Sequence, residues 1–233
     1  MEELRCRIIA HIYNDYTGKF GIPRQSGLAE VPSTIVFTPT FRNPDALRGL
    51  EGYSHLWLLW HFSEAVRQGG EKGEWNPTVR PPKLGGNTRM GVFATRSPYR
   101  PNPLGLSSVC IDRIEWDTPE GPVIHVLGAD LMDGTPIYDI KPYVTYADSH
   151  PKARSGFVDE HQWQELNVDF PQHLTSRFSA ESLTALIRVL ALDPRPQYQD
   201  NPDKVYGMPY EGYDVRFRVA NGVLTVVELV PLP

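Results

Sequence analysis

The sequence predicts a mainly β protein, in which an N-terminal antiparallel β-barrel is followed by a small α+β domain. Apolar, strand-like runs dominate the first part of the chain, and short turns join them without the helix-length spacing of βαβ units. The GxGxxG fingerprint is absent, which argues against a Rossmann-type dinucleotide site. We divide the 233 residues into a barrel domain over 1–145, a linker or insertion over 146–170 and a C-terminal domain over 171–233.

Composition narrows the classes of function. The formal net charge is -5, which argues against a general nucleic-acid coat protein, so any anionic partner must bind to a local basic patch. No stretch is apolar and long enough to span a bilayer, and we expect a cytoplasmic protein. Neither CxxC nor HExxH occurs, and we expect no metal site.

Two strands and a helical turn open the barrel domain. Residues 7–13 and 33–37 are apolar runs bounded by turn formers, and each is predicted to be a strand. Residues 44–52 start with Pro and end with Gly, as a short helical turn does. Residues 55–62 are almost all apolar, which predicts a strand buried on both faces, with His61 near its end.

Residues 78–105, the cationic segment, are the most distinctive part of the chain. They contain four arginines and one lysine but no Asp or Glu, and several prolines and glycines stiffen or turn the backbone. We interpret its apolar centre, residues 90–94, as a short buried strand between two stiff loops. Concentrated guanidinium groups suit a ligand with carboxylate or phosphate groups. The alternative is a Pro-rich surface loop whose arginines are only solvated.

An acidic bend follows the next two predicted strands, residues 106–116 and 122–127. It spans residues 128–143 and contains a tight turn at 133–136. Three acids, a lysine and a tyrosine are more than a turn requires. Such a group could bind an ammonium group and ribose hydroxyls, or a metal ion, although the spacing excludes an EF-hand. The residues are Asp130, Asp133, Asp139, Lys141 and Tyr143.

The C-terminal domain combines a helix with a hairpin. Ser179 is a suitable N-cap for an amphipathic helix that ends near residue 193. Asn221 and Gly222 separate the strands 213–219 and 223–230, as in a type I′ hairpin. Arginines and tyrosines here could grip phosphates and stack on unpaired bases, or the tyrosines could simply cover a small core.

These motifs resemble the TsaA-like family, also called tRNA methyltransferase O and, in older usage, YaeB. The resemblance spans nearly the whole chain outside the linker, and the motif around Arg96 is very specific. The matching stretches are residues 20–25, 55–60, 80–82, 91–103, 133–136, 139–143 and 193–198.

The resemblance implies an S-adenosylmethionine-dependent tRNA (adenine-N6)-methyltransferase. Members of the family methylate N6 of threonylcarbamoyl-adenosine at tRNA position 37, in the anticodon stem-loop. The resemblance also implies a non-Rossmann β-barrel and a homodimer with the methyl-donor site near its interface. Residues 193–196 and the terminal hairpin are similar to those of the two-domain tRNA enzymes.

Site residues are carried over from the matching motifs. The S-adenosylmethionine pocket is predicted from Pro23, Arg24, Gln25, His61, Phe62, Arg96, Leu106, Asp130, Leu131, Met132 and Asp133. Asp133, Asp139, Lys141 and Tyr143 are unranked candidates for a catalytic base, and tRNA contacts are predicted at Arg100, Arg195, Tyr198, Arg216 and Arg218. The rival interpretation is a non-catalytic, regulatory binding module for S-adenosylmethionine or another anionic metabolite. A metal-dependent phosphate-ester hydrolase is a third.

Overall fold

The structure is a computed structural model that describes residues 5–63, 75–81, 84, 87–160, 164–195 and 201–232. Strands account for most of the regular structure in these ranges. They are β1 Ala10–Tyr13, β2 Pro32–Phe37, β3 His55–His61, β4 Thr78–Val79, β5 Met90–Gly91, β6 Leu104–Glu115, β7 Val123–Leu127, β8 Thr135–Pro142, β9 Asn167–Asp169, β10 Tyr206–Tyr210, β11 Tyr213–Ala220 and β12 Val223–Pro231.

Six of these strands form a closed antiparallel barrel, in the order β1-β2-β7-β6-β3-β8, with β8 pairing back to β1. The predicted fold class is therefore confirmed. Closure leaves one face of each strand inside and the other outside. All the long loops that matter below leave the barrel at the end where β1, β3 and β7 finish and β2, β6 and β8 begin, here called the site end.

Strand β3 corrects one sequence prediction. Its buried residues alternate, with Leu56, Leu58 and Trp60 inside the barrel and Trp57 and Leu59 only half-buried on the outside. The prediction that β3 is buried on both faces is wrong, because a barrel strand has a single core face. The outer face of β3 therefore presents Trp57 and Leu59 between two histidines.

The cationic segment corrects a second prediction. Residues 90–94 are not a buried strand, since β5 ends at Gly91 and a 3-10 helix, Val92–Ala94, follows. Val92 is buried, whereas Phe93 is 70% exposed. Within the described ranges, strand β5 pairs only with the two-residue strand β4. The arginines of this segment therefore stand on a small hairpin and turn at the surface.

The C-terminal domain packs a helix on a four-stranded sheet of order β10-β11-β12-β9. The side chain of Ser179 caps the helix by accepting from the backbone N of Ser182 at 3.1 Å, as predicted. Asn221 and Gly222 have φ of 52° and 77°, both in the left-handed region that a type I′ turn requires. The hairpin prediction is confirmed by the pairing of β11 with β12.

Helices are few and short. The α-helices are α1 Thr145–Asp148, α2 Phe157–Glu160, α3 Gln172–Thr175 and α4 Ala180–Ala191, and 3-10 helices occur at Pro39–Phe41, Pro44–Leu47, Leu50–Gly52 and Val92–Ala94. The predicted helical turn over 44–52 thus corresponds to two 3-10 helices. In the part of the chain that the structure describes, no helix has the length and apolarity needed to cross a membrane.

The predicted linker 146–170 is shorter in the structure. Asp148 in α1 accepts from Trp57 Nε1 at 3.0 Å, which fixes α1 to the barrel. Strand β9 pairs in parallel with β12, so residues 167–169 belong to the C-terminal sheet rather than to the linker. This three-residue edge strand was missed because it is too short to give a clear periodic pattern. Its partner strand is also more than 50 residues away in the sequence.

Candidate functional site

The site end of the barrel gathers the loops in which most of the predicted cofactor residues lie. His61 pairs with Leu104, and the backbone N of Phe62 donates to Pro103 O at 3.0 Å, so the cationic segment finishes here. The loop over 14–31 is fixed to the β7–β8 loop by a bond from Gly27 N to Gly128 O at 2.8 Å. Three connections distant in sequence therefore meet at one surface.

Arg96 connects the cationic segment to the loop over 14–31. Its Nη1 donates to Oε1 of Gln25, and both residues belong to the predicted cofactor set. The Arg96 side chain is exposed, and its guanidinium forms no ion pair with any carboxylate among the described residues. A planar cation held by a neutral amide retains donors for an incoming carboxylate.

Asp130 provides the opposite charge at the same surface. Its Oδ1 accepts from Ser107 Oγ at 2.5 Å, and Ser107 Oγ accepts from Trp60 Nε1 at 2.9 Å. The backbone N of Ser26 also donates to Asp130, and Ser26 Oγ accepts from Ser108 N at 3.2 Å. Asp130 is thus held by groups from β6 and from the loop that carries Gln25.

The surroundings of Asp130 change the pKa of its carboxyl group. Burial raises the pKa of Asp130, while the hydrogen bonds from Ser107 and the backbone and the charge of Arg96 oppose that rise. Gln25 binds Arg96, and the next residue, Ser26, binds Ser108. Ser107, the neighbour of Ser108, donates to Asp130, so the guanidinium and the carboxylate belong to one connected group of contacts. A site with a cation on one side and an acid on the other suits a zwitterionic ligand.

Leu131 and Asp133, in the acidic bend, make contacts that stabilise the neighbouring loop. Asp133 Oδ1 accepts from the backbone N of Asn14 at 3.0 Å, and Asp133 N donates to Tyr16 O at 2.9 Å. Leu131 is fully buried in the barrel core, and its carbonyl accepts from Asn14 Nδ2 at 3.0 Å. These contacts hold the loop over 14–31 against the bend, and Leu131 has no side-chain surface for a ligand.

The other predicted pocket residues differ in how far they are buried. Pro23 is buried, Met132 and Phe62 are half-buried, and Arg24 is exposed. The His61 ring contacts Tyr138 edge-on, with centroids 5.8 Å apart. Leu106 is 57% exposed because it lies on the outer face of β6, whereas its neighbour Ser107 points inward.

Three of the four candidate bases lie away from the Asp130 centre. Asp139 and Lys141 form an ion pair of 2.8 Å on β8, and Tyr143 packs on Trp57 with ring centroids 5.8 Å apart. Tyr143 N donates to His55 O, at the start of β3, so Tyr143 lies roughly 20 Å along that strand from the site end. Sequence proximity suggested one cluster, but an extended strand carries its residues apart.

The predicted tRNA-binding residues of the C-terminal domain are mostly paired with acids. Arg195 forms two bonds of 2.9 Å with Asp193, and Arg216 contacts Asp214 and Glu228, each at 3.1 Å. Arg218 is exposed on β11, and Tyr198 lies outside the described residues. Arg100, in the cationic segment, donates from Nη1 to Thr95 O at 3.3 Å.

The sequence analysis missed the support that the C-terminal domain gives to the site. Phe20 stacks on Phe217 with centroids 6.4 Å apart, and a Cβ on Gly21 would lie 2.3 Å from Met208 Sδ. Beyond that contact, a cavity of about 190 Å³ separates residues 19–24 from residues 189–194. Arg24, at its edge, interacts electrostatically with Asp193. The loop that carries Gln25 is therefore packed on the C-terminal core.

Ser26 and Ser107 were also missed. Ser107 is 1% exposed at an inward-facing position of a barrel strand. A buried hydroxyl requires a hydrogen-bond partner, and this one bonds to Asp130. A serine at an inward position of an otherwise apolar alternation is the signal that could have identified it.

Comparison with known proteins gives two family matches along the chain. Residues 11–149 match the family described as the tRNA-methyltransferase O N-terminal domain, and residues 163–232 match the TrmO C-terminal domain. The residues between the two matches fall inside the predicted linker. Together the matches cover nearly all of the chain outside that linker.

Individual relatives are similar over most of their length. The chain is 40% identical to the Escherichia coli (strain K12) protein named tRNA (adenine(37)-N6)-methyltransferase, over 99% of this chain and 100% of the relative. It is 32% identical to a Pyrococcus abyssi (strain GE5 / Orsay) protein named "Probable S-adenosyl-L-methionine-binding protein", over 70% of this chain and 77% of that one. A crystal structure of TrmO from Pseudomonas aeruginosa superposes with a TM-score of 0.76 at 30% identity, covering 98% of this chain and 100% of the other.

Proposed function

Because the chain belongs to the tRNA-methyltransferase O family, we propose that it transfers a methyl group from S-adenosylmethionine to N6 of the adenine at tRNA position 37. Its substrate in this proposal is threonylcarbamoyl-adenosine in the anticodon stem-loop, and we propose a cytoplasmic location with its tRNA. One structural observation carries the proposal: a short chain of hydrogen bonds connects Arg96 and Asp130, which are opposite in charge, at the end of a barrel.

The residues at the site end fit the methyl donor. Its carboxylate suits Arg96, whose guanidinium has no ion pair with a described acid, and its ammonium or ribose hydroxyls suit Asp130. Apolar surface for an adenine is available at Leu106 and Phe62. When bound, S-adenosylmethionine supplies an electrophilic methyl group on a sulfonium.

The chain's own residues act mainly by holding the methyl donor in position. Methyl transfer requires the nucleophilic nitrogen in line with the methyl group and needs little acid–base assistance at the sulfur. Gln25 and Ser26 lie on one loop and bond to Arg96 and Asp130, respectively, so a single segment sets the separation of the two charges. The bonds from Trp60 to Ser107 and from Ser107 to Asp130 anchor that arrangement in the barrel core.

Removal of the N6 proton is the acid–base step. The carbamoyl group withdraws the nitrogen lone pair, so a base assists more than it would with plain adenosine. Of the four candidates, Asp133 lies at the site end, with one oxygen bonded to Asn14 N. Asp139, Lys141 and Tyr143 face outward on or just after β8, and they can serve only if a second subunit brings them to the site.

A homodimer is part of the proposal. The outer faces of β3 and β6 support it, since Leu59 lies opposite Leu106 and both are apolar side chains outside the barrel. Neither belongs to a described core, and a second copy would remove them from water. Such an interface would adjoin the site end, because Leu106 is the neighbour of Ser107.

Mass spectrometry of tRNA nucleosides tests the proposed function. Incubation of tRNA that carries threonylcarbamoyl-adenosine with the protein and S-adenosylmethionine should add one methyl group to that nucleoside. tRNA with unmodified adenosine at position 37 is the control. Donor binding without any methylated nucleoside would contradict the enzyme and favour the non-catalytic binding module.

Donor affinity should depend on pH through Asp130. Burial raises the pKa of Asp130, and a cationic ligand favours the ionised carboxylate, so donor binding displaces the proton. Affinity should therefore be complete above this raised pKa and should fall as the pH drops through it, in the acidic range above about 4. Calorimetric titrations across that range measure the slope. Asp130→Asn should bind more weakly and without this slope, and an unchanged slope in that variant would refute the role of Asp130.

A further inference from the structure

The cationic segment presents positive charge that no acid among the described residues neutralises in an ion pair. Arg80, Arg89 and Arg96 are exposed, Arg100 is half-buried, and none of the four forms an ion pair with a described acid. Their hydrogen bonds go instead to neutral oxygens, such as Thr78 Oγ1 for Arg89 and Thr95 O for Arg100. On a chain of net charge -5, this is a local concentration of positive charge that attracts anions.

Exposed aromatic rings flank Arg96 on the same segment. Phe93, three residues before it, is 70% exposed, and Tyr99, three residues after it, is 54% exposed. Trp75 is 47% exposed and lies against Phe93, with ring centroids 5.6 Å apart. Proteins that bind single-stranded nucleic acid combine exposed aromatic rings with arginines. The rings stack on unpaired bases, and the arginines bind the adjacent phosphates.

We propose that Phe93 and Tyr99 form a stacking platform for unpaired bases of the tRNA anticodon loop, with Arg80, Arg89 and Arg100 on its phosphates. This inference rests on the proposed function and specifies where its RNA substrate binds. Since Arg96 lies between the two rings in sequence, bases stacked there would be adjacent to the methyl donor. The platform would thereby select a single-stranded loop over a duplex.

Charge favours RNA over a second copy of the chain on this surface. A two-fold interface brings the same patch of each subunit together. On the cationic segment, that would oppose arginines to arginines without any acid from the segment to offset them. The apolar outer faces of β3 and β6 carry no such penalty at Leu59 and Leu106, so a dimer there leaves the platform open.

The C-terminal arginines fit the same role less well. Arg195 and Arg216 are already bound to carboxylates, and an RNA phosphate would have to compete with Asp193, Asp214 and Glu228. Arg218 is exposed, and the described residue opposite it on β12 is Thr225, not an aromatic residue. We therefore assign the loop contacts that stack bases to the cationic segment and not to β11.

Fluorescence anisotropy with a labelled anticodon stem-loop tests the platform. Phe93→Ala and Tyr99→Ala should each weaken loop binding about 10-fold, and binding of a blunt RNA duplex should not change, since it offers no unpaired bases. Arg80→Ala and Arg89→Ala should each lower the salt slope by about one unit. Tyr146→Ala is the matched control, because that ring is 93% exposed at a distant position on α1.

Three results would overturn the platform. Unchanged loop affinity in the Phe93/Tyr99 double variant, while an Arg216/Arg218 double variant loses it, would move the contact to the C-terminal domain. A change of sedimentation mass in the ring variants would assign the rings to a subunit interface. Equal losses for loop and duplex would exclude stacking. In each case wild-type methylation of tRNA would show that the proposed function stands, whereas no RNA binding by the wild type would refute both.

Discussion

Replacing Arg96 with alanine should abolish measurable binding of S-adenosylmethionine. Arg96 carries an exposed guanidinium that donates to Gln25, on the same loop as Ser26. Each hydrogen bond between a charged pair contributes roughly 1.5–3 kcal/mol, so the loss of a two-pronged contact should weaken binding about 100-fold or more. Isothermal titration calorimetry with the donor measures the effect directly.

Two arginine variants control this experiment. Arg96→Lys keeps the charge but loses the planar fork, and it should retain an intermediate affinity. Arg89→Ala removes a cation from the same segment, where Arg89 bonds to Thr78, and it should leave donor affinity unchanged. Donor affinity in Arg96→Ala equal to that of the wild type would remove Arg96 from the pocket.

The second large effect is expected at Gly105 in β6. A Cβ at this position would lie 2.1 Å from Trp60 Cε2 and within 2.6 Å of two further ring atoms. The indole cannot move easily, because it is buried in the barrel core and its Nε1 donates to Ser107. Gly105→Ala should therefore cost about 3 kcal/mol of folding free energy, the upper end for an overpacked core.

Thermal unfolding followed by near-ultraviolet circular dichroism measures that cost. The free-energy change corresponds to a midpoint lower by about 10 °C for a chain of this length. Gly52→Ala is the matched control, since its Cβ would meet nothing within 4 Å. A Gly105→Ala midpoint equal to the control's would mean that the Trp60 side chain does not fix β6 as described.

The elements with strong local signals were predictable from the sequence. The Ser179 cap, the amphipathic helix α4 and the Asn221-Gly222 hairpin depend on residues close together in the chain, and all three occur. Barrel closure depends on the pairing of β1 with β8, more than 120 residues apart, which no local pattern specifies. The turn at 92–94 was missed because a short apolar run is compatible with either a strand or a helix.

The candidate site, like the fold, could be predicted from the sequence only in part. Arginines without acids and aspartates in a bend could be recognised as charged groups, and a chain of hydrogen bonds through Gln25, Ser26 and β6 connects Arg96 to Asp130. The structure separates Tyr143 from them, because β8 extends away from the site end. The packing of Gly21 on Met208 follows from tertiary contacts alone, whereas Ser107 gave only the weak signal of a polar residue at an inward strand position.

The account has one central claim, which is that the donor lies at the site end of the barrel between Arg96 and Asp130. A crystal structure with S-adenosylhomocysteine, the spent donor, tests it most directly. We predict the ligand carboxylate within hydrogen-bonding distance of the Arg96 guanidinium, and its ammonium or a ribose hydroxyl at Asp130. A ligand bound elsewhere, with neither residue in contact in any subunit, would contradict the claim.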